Sequence, residues 1–299
     1  MIDLGHLIYG YMKMVNGGLD ILFGTKIMLQ IFLALMDLIG KEIKGSIEML
    51  KTRLIGRLDI KGPNLIKSIR FEGLRVLGDP QVFARKYYQA GIDEILYVDT
   101  VATLYERVGI HDLVKKTAQD VFIPITAAGG VRSVQDVDGL LRSGADKIAI
   151  NTAAVKNPDL ISQVSKRFGS QCMVLSIEAC KQPDGTWEAY TDNGREHSNL
   201  NVLDWAIKAE KLGAGEILLT SVDFDGTLKG FDYDLTKLVS ENVSIPVITS
   251  GGFGDEDDFV KVVKDYSADA VAIGSAFHYD KFTVKSLKDK LRSKGLSVR

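Results

Sequence analysis

Cysteine is nearly missing from this 299-residue sequence, which holds two, Cys172 and Cys180. Two thiols make neither a disulfide framework nor a four-ligand zinc site, so a reducing, cytoplasmic setting is expected. Histidine is as sparse, at positions 6, 111, 197 and 278, so neither a histidine-built metal centre nor a metal cofactor is expected. Neither sign of charge dominates: 37 Lys+Arg stand against 39 Asp+Glu, which excludes the basic footprint of a general nucleic-acid binder. Long apolar runs are lacking too. The stretch from Ile27 to Met36 is ten residues long, interrupted by Gln30 and bracketed by Lys26 and Asp37, whereas a membrane-crossing helix needs about 20. No membrane span is expected. Glycine is plentiful (29) and proline rare (6), the composition of a globular chain with many tight turns.

Residues 1–48 differ in character from the rest and lack the basic start and small-residue cleavage site of a signal peptide. Three readings stand open for them: sequence upstream of a functional start at Met49, a helix docked on the domain or on a partner, or a membrane-surface anchor. The chemistry-bearing motifs all follow Met49, so residues 49–299 are read as the functional domain.

There, short aliphatic runs alternate with amphipathic helical stretches. Ile92–Val98, Ile123–Thr126, Lys147–Ile150, Met173–Ile177, Glu216–Thr220, Pro246–Thr249 and Ala270–Ile273 read as strands, and their nearly continuous apolar character predicts a parallel sheet covered on both faces. The chain also repeats itself. IPITAAGG (123–130) returns as IPVITSGG (245–252), DEILYVD (93–99) as GEILLTS (215–221), ADKIAINTAA (145–154) as ADAVAIGSAF (268–277), and RLDIK (57–61) as SIEAC (176–180). Four matched segments in the same order predict an α/β fold, a (βα)8 TIM barrel built from two (βα)4 half-barrels, each closing the other's open edges.

Active sites of such barrels lie at the C-terminal ends of the strands. The repeat places Gly129-Gly130 and Gly251-Gly252 after the third and seventh barrel strands, and Asn151-Thr152 and Gly274-Ser275 after the fourth and eighth. Glycines let backbone N–H groups approach a phosphate, and hydroxyls add donors; glycines that merely serve tight turns are the plainer alternative. Two such sites related by the repeat suit a bis-phosphorylated small molecule. Asp59 and Glu178 pair in the same way, and two carboxylates at a barrel mouth suit general acid–base catalysis. Lys67, placed in the loop after Asp59, and Asp225 in SVDFDGT add polar groups. Arg57 precedes Asp59 by two and so faces the same interior, biasing Asp59 toward its ionised form and leaving Glu178 as the acid. At the opposite end Arg53, Glu94, Lys147 and Glu216 stand at strand starts, where they form either a structural charge ring or a gate for a small molecule.

With these residues assembled, the chain from Met49 to Arg299 resembles the cyclase subunit of imidazole glycerol phosphate synthase. RLDIKG, GDP (78–80), DEILYVD, AAGGVRS, GADKIAINTAAVKNP, RFGSQ, GAGEILLTSVDFDGT, IPVITSGG and FHY all fall in family order. The resemblance implies an enzyme, a lyase and cyclase of histidine biosynthesis. Its reaction is ammonia-dependent conversion of a phosphoribulosyl-formimino aminoimidazole carboxamide ribotide to imidazole glycerol phosphate and aminoimidazole carboxamide ribotide. The resemblance also implies a glutaminase partner in a heterodimer, docked at the barrel floor. It makes Asp59 catalytic and Lys67 the lysine of a flexible loop. It assigns Gly130, Asn151 and Thr152 to one phosphate, and Gly226, Gly252, Gly274 and Ser275 to the other. Arg53, Glu94, Lys147 and Glu216 become an ammonia gate. Three departures stand out: Glu178 where the family has aspartate, Gly56-Arg57 where it has Pro-Cys, and Ala127-Ala128 before Gly130. They resemble paralogues that deliver ammonia for sugar amidination in surface-polysaccharide synthesis; a non-catalytic scaffold docking a glutaminase is the third reading.

Overall fold

The computed structural model describes residues 51–102 and 110–299; the readings of residues 1–48 lie outside the described residues. Eight parallel strands close on themselves. β1 (Arg53–Lys61) pairs with β4 (Glu94–Asp99), then β5 (Ile125–Ala128), β6 (Lys147–Ile150), β7 (Met173–Lys181), β10 (Glu216–Ser221), β11 (Val247–Ser250) and β12 (Ala270–Ile273), and β12 pairs with β1 again. The expected (βα)8 barrel is present: the seven strands expected from the sequence begin within two residues of their expected starts, β7 runs four residues further than expected, and β1 begins four residues before the RLDIK segment.

The four remaining strands are where the sequence expectation falls short. β2 (Asn64–Ile69) and β3 (Glu72–Gly78) form an antiparallel hairpin growing from the end of β1. β8 (Trp187–Thr191) and β9 (Glu196–Asn201) grow in the same manner from β7. Both are excursions after the first strand of a half, so the internal repeat extends to them although their sequences share little. Their turns are built alike, with consecutive residues of positive φ: Arg70 and Phe71 in one, Asp192 and Asn193 in the other. Such turns match the twist of the strands they join.

Helices α1 (Pro80–Gln89), α2 (His111–Thr117), α3 (Val134–Arg142), α4 (Thr152–Lys156), α5 (Asp159–Phe168), α6 (Val202–Leu212), α7 (Tyr233–Ser240), α8 (Glu256–Lys264), α9 (Ser275–His278) and α10 (Val284–Ser293) belong to the layer around the barrel. α3 and α8, which are repeat mates, begin with the same device: Ser133 and Asp136 form a capping box, as do Asp255 and Asp258. Each cap satisfies backbone N–H groups that would otherwise lack partners, worth about 1 kcal/mol.

Strand alternation divides the buried apolar residues in two. One cluster lies between strands and helices and includes Leu54, Leu58, Ile95, Ile148 and Trp205. The other fills the barrel interior, with Ile55, Leu96, Ala128, Ala149, Val174, Leu218, Ile248, Ala270 and Ala272. On β1 the interior positions are therefore Arg53, Ile55, Arg57 and Asp59, and on β7 they are Val174, Ser176 and Glu178. Thr52 pairs with Val298, so the C-terminal tail lies against the entry to β1.

Candidate active site

Asp59 sits one turn of the strand pleat above Arg57, near the C-terminal end of β1, and both are buried. The Arg57 guanidinium donates from Nε to Asp59 Oδ1 at 2.8 Å and from Nη1 to the Thr220 and Ser250 hydroxyls at 2.9 and 3.0 Å. Lys67 Nζ holds the other carboxylate oxygen, Asp59 Oδ2, at 3.0 Å and also reaches Asp225 Oδ2 at 2.9 Å. Lys67 is thus not in a loop, as the sequence suggested. It stands on β2, buried against two carboxylates. The strand is buried continuously from Leu65 to Ser68, with no alternation to betray it, and it follows Gly62-Pro63, which is turn chemistry.

The four charges, linked in the order Arg57, Asp59, Lys67, Asp225, would each be costly to bury alone, and breaking such a buried pair typically costs about 3–5 kcal/mol. Together they fix Asp59 in one protonation state. Burial by itself would push its carboxyl up, but Arg57 and Lys67 outweigh burial and hold it below the usual carboxylate range. Glu178 has the opposite surroundings. Its side chain borders a cavity, yet its carboxyl is packed round by protein atoms, and this desolvation lifts its pKa to about 7. The Gly194 N–H, donating to Glu178 Oε2 at 2.7 Å, and the Arg57 charge oppose that rise without cancelling it. One carboxylate is locked ionised and the other is poised to exchange a proton at neutral pH, the division of labour that acid–base catalysis uses.

Two cavities flank this pair. The first, about 60 Å³, is lined by Gly130, Asn151, Thr152, Glu178 and Asn193. The second, about 20 Å³, is lined by Lys67, Asp225, Gly226, Gly252, Gly274 and Ser275. Every residue placed in a cradle on sequence grounds therefore borders one cavity or the other. Two details add to the expectation. Asn151 gives one amide N–H to the Tyr190 carbonyl at 3.0 Å, which also ties hairpin β8–β9 to the first cavity. Gly226 also has a packing reason to be glycine: at φ +72° its Cβ would collide with the Ser68 carbonyl of β2. Asp99 and Asn193, which line the first cavity, were not singled out from sequence. A signal for Asp99 existed, since it ends the repeated segment DEILYVD.

At the floor, Arg53, Glu94, Lys147 and Glu216 form a closed ring. Arg53 Nη1 donates to Glu94 at 2.9 Å and Nη2 to Glu216, while Lys147 Nζ reaches Glu94 at 3.1 Å and Glu216 at 2.9 Å. Each cation bridges both carboxylates. Lys147 is the more exposed of the two cations, at 19% against 13% for the Arg53 side chain. Among the described residues no group of three or more metal-ligating side chains is assembled, and no helix is long and apolar enough to cross a membrane.

A closed barrel with an ionised carboxylate and a protonatable one at its mouth, between repeat-related glycine-lined cavities, defines an acid–base enzyme of the (βα)8 class. Residues 53–283 match the family described as histidine biosynthesis protein. The chain is 62% identical over 211 residues to an imidazole glycerol phosphate synthase subunit HisF from Legionella pneumophila, covering 71% of this chain and all of that one. It is 47% identical over 251 residues to the subunit HisF of Bacillus cereus strain G9842, covering 84% of this chain and all of the relative, and 48% identical over 248 residues to that of Lachnoclostridium phytofermentans, covering 83% and 96%. The chain belongs to the family of cyclase subunits of imidazole glycerol phosphate synthase.

Proposed function

We propose that the barrel cyclises and cleaves phosphoribulosyl-formimino aminoimidazole carboxamide ribotide with ammonia, giving imidazole glycerol phosphate and aminoimidazole carboxamide ribotide in the cytoplasm. The substrate carries a phosphate at each end. One phosphate is received by Gly130, Asn151 and Thr152, and the other by Gly226, Gly252, Gly274 and Ser275. Backbone N–H groups supply most of the donors. Asp59, permanently ionised, stabilises positive charge developing on the condensing nitrogen. Glu178 gives and takes the proton, and Lys67 and Asp225 orient the substrate between them. Ammonia comes from a glutaminase subunit docked at the floor and passes the ring of Arg53, Glu94, Lys147 and Glu216.

The observation that carries this reading is the opposed electrostatics of Asp59 and Glu178, with Glu178 bordering the first cavity and the Asp59 partners Arg57 and Lys67 bordering the second. Glutamate in place of aspartate carries its carboxylate about one C–C bond, ~1.5 Å, further from the backbone. The Gly194 N–H draws that longer side chain toward the β8–β9 turn. The test is complementation of a histidine auxotroph that lacks its own cyclase. Growth is expected from the unaltered chain, slower than from a cyclase with two aspartates, and none from Asp59→Asn. Soluble protein with no growth from either the unaltered chain or Glu178→Asp would overturn the histidine reading in favour of sugar amidination.

A further inference from the structure

His278, the middle residue of FHY (277–279), is buried on α9 beside the second cradle, with 7% of its surface exposed. Its Nδ1 meets the Tyr87 hydroxyl of α1 at 2.6 Å, and the two rings stack at 6.0 Å. Burial raises the pKa of the phenol and lowers that of the imidazole to about 4, so Tyr87 keeps its hydrogen and His278 is neutral. Among the described residues the hydroxyl has no other partner. It therefore donates to Nδ1, and the imidazole hydrogen is on Nε2. Nε2 is buried and, among the described residues, has no hydrogen-bond partner. A buried N–H without an acceptor is rare in a folded protein.

That N–H stands at a break in the sheet. On one edge of β1, parallel pairing with β12 runs from Arg53–Ala270 to Gly56–Ile273 and stops. Hairpin strand β2 takes over that edge only at Asp59, while β4 covers the other edge from Ile55 to Ile60. Arg57 and Leu58 lie between the two partners. The Arg57 carbonyl and His278 Nε2 come together at Gly274, where a Cβ would lie 3.4 Å from each. Gly274 has φ −113°, so left-handed backbone is not its reason to be glycine; the clearance between those two atoms is. The Arg57 backbone is also among the groups that favour a proton on His278. In the other half the repeat puts Asn151 in the place of Gly274 and Val155 in the place of His278. The donor is present only on the side that holds Arg57 and Asp59.

We infer that His278 is a positioning residue for Asp59: Tyr87 fixes its tautomer, and its Nε2–H closes onto the Arg57 carbonyl when phosphate seats in the second cradle. On the proposed function, Gly274 and Ser275 receive that phosphate. α9 is a single turn in which the His278 N–H donates to the Gly274 carbonyl at 3.0 Å, so cradle and imidazole shift as one piece. Arg57 precedes Asp59 by two residues and is bonded to it through the guanidinium. Fixing the Arg57 carbonyl fixes the carboxylate above it.

Nitrogen-15 NMR of the imidazoles in the full unaltered chain tests the geometry, with the His278 signals identified by their loss in His278→Gln. A hydrogen on Nε2 and none on Nδ1 is expected, with the Nε2–H proton moving downfield when inorganic phosphate is added. A hydrogen on Nδ1, or an Nε2–H that stays put while the Gly274 and Ser275 amides shift, would overturn the proposal alone. Amides that ignore phosphate would overturn it together with the cradle. Rates with ammonium chloride give the second readout. His278→Phe keeps a ring in place but loses the donor; it should lower kcat about tenfold with KM within about threefold, since displacing a reacting group by ~1 Å costs up to about a hundredfold. His278→Gln retains an N–H near the position of Nε2 and should restore kcat to within about threefold of the unaltered chain. An unchanged kcat in His278→Phe, or equal losses in the two variants, would overturn the positioning role. Absence of product from the unaltered chain would overturn the cyclase reading, while the tautomer and its response to phosphate still decide the role of His278.

Discussion

Glu178 shows how far the sequence alone reaches at the scale of a single residue. Its pairing with Asp59 and the charge imposed by Arg57 follow from strand parity and the repeat. Its own environment does not, because Gly194, which donates to it, lies on a hairpin that the sequence did not reveal. The raised pKa, about 7, has a consequence for stability. Between the ordinary carboxylate range and pH 7 the folded protein keeps a proton that the unfolded chain releases, so stability falls as pH rises through that window and levels off above it. Glu178→Gln removes the ionisation. It should stabilise the protein by up to roughly 2–3 kcal/mol at pH 8 relative to the unaltered chain, and the difference should vanish near pH 4. Chemical denaturation at the two pH values measures this directly, and an advantage of equal size at both would show that ionisation is not the cause. The same variant should lower cyclase activity with ammonium by two orders of magnitude or more, since removing a general acid–base typically costs 10²–10⁴.

Among the elements, hairpins β2–β3 and β8–β9 were the least legible. WEAYT (187–191) alternates as a strand should, and Asp192-Asn193-Gly194 is turn chemistry, but the polar run 196–201 that completes the hairpin carries no apolar signal. The strands of the barrel, by contrast, are buried on both faces and announced themselves by continuous apolar character. The hairpins matter because they meet over the mouth: a Cβ on Gly194, at φ +71°, would lie 2.7 Å from the Phe71 ring. Gly194→Ala should therefore push the two turns apart and lengthen the bond to Glu178. Left-handed backbone at a non-glycine residue adds about 1 kcal/mol of strain. The expected outcome is an upward shift of the Glu178 ionisation in the pH profile of kcat, with modest loss of stability. An unshifted profile would mean that the N–H contact does not tune the carboxyl. A third, larger cavity of about 440 Å³ lies along hairpin β2–β3 and shares Lys67, Gly226 and Ser275 with the second cavity.

For the molecule as a whole, floor and mouth are the two ends of one barrel interior. The floor ring was legible as four charged residues at strand starts, but whether they pair with each other was decided only by the closure of the barrel. Lys147→Met leaves Glu94 and Glu216 with Arg53 as their common cation. Since Lys147 is partly exposed, the loss in stability should be about 1–2 kcal/mol. Product formed per glutamine consumed should fall, with the rate on ammonium chloride preserved. Intact coupling in this variant would reduce the ring to a purely structural role.

The pairing of Thr52 with Val298 bears on the order in which the halves are written. Backbone bonds from Thr52 to Ser297 at 2.9 Å and from Arg299 to Thr52 at 3.2 Å bring the two ends of the barrel together, while the join between the halves, at Ser170 and Gln171, is exposed. A chain cut at that join and sealed at the ends would read its second half first, yet each strand would still find the same two neighbours. For this barrel, which half comes first is an accident of inheritance, and only their cyclic order has physical meaning.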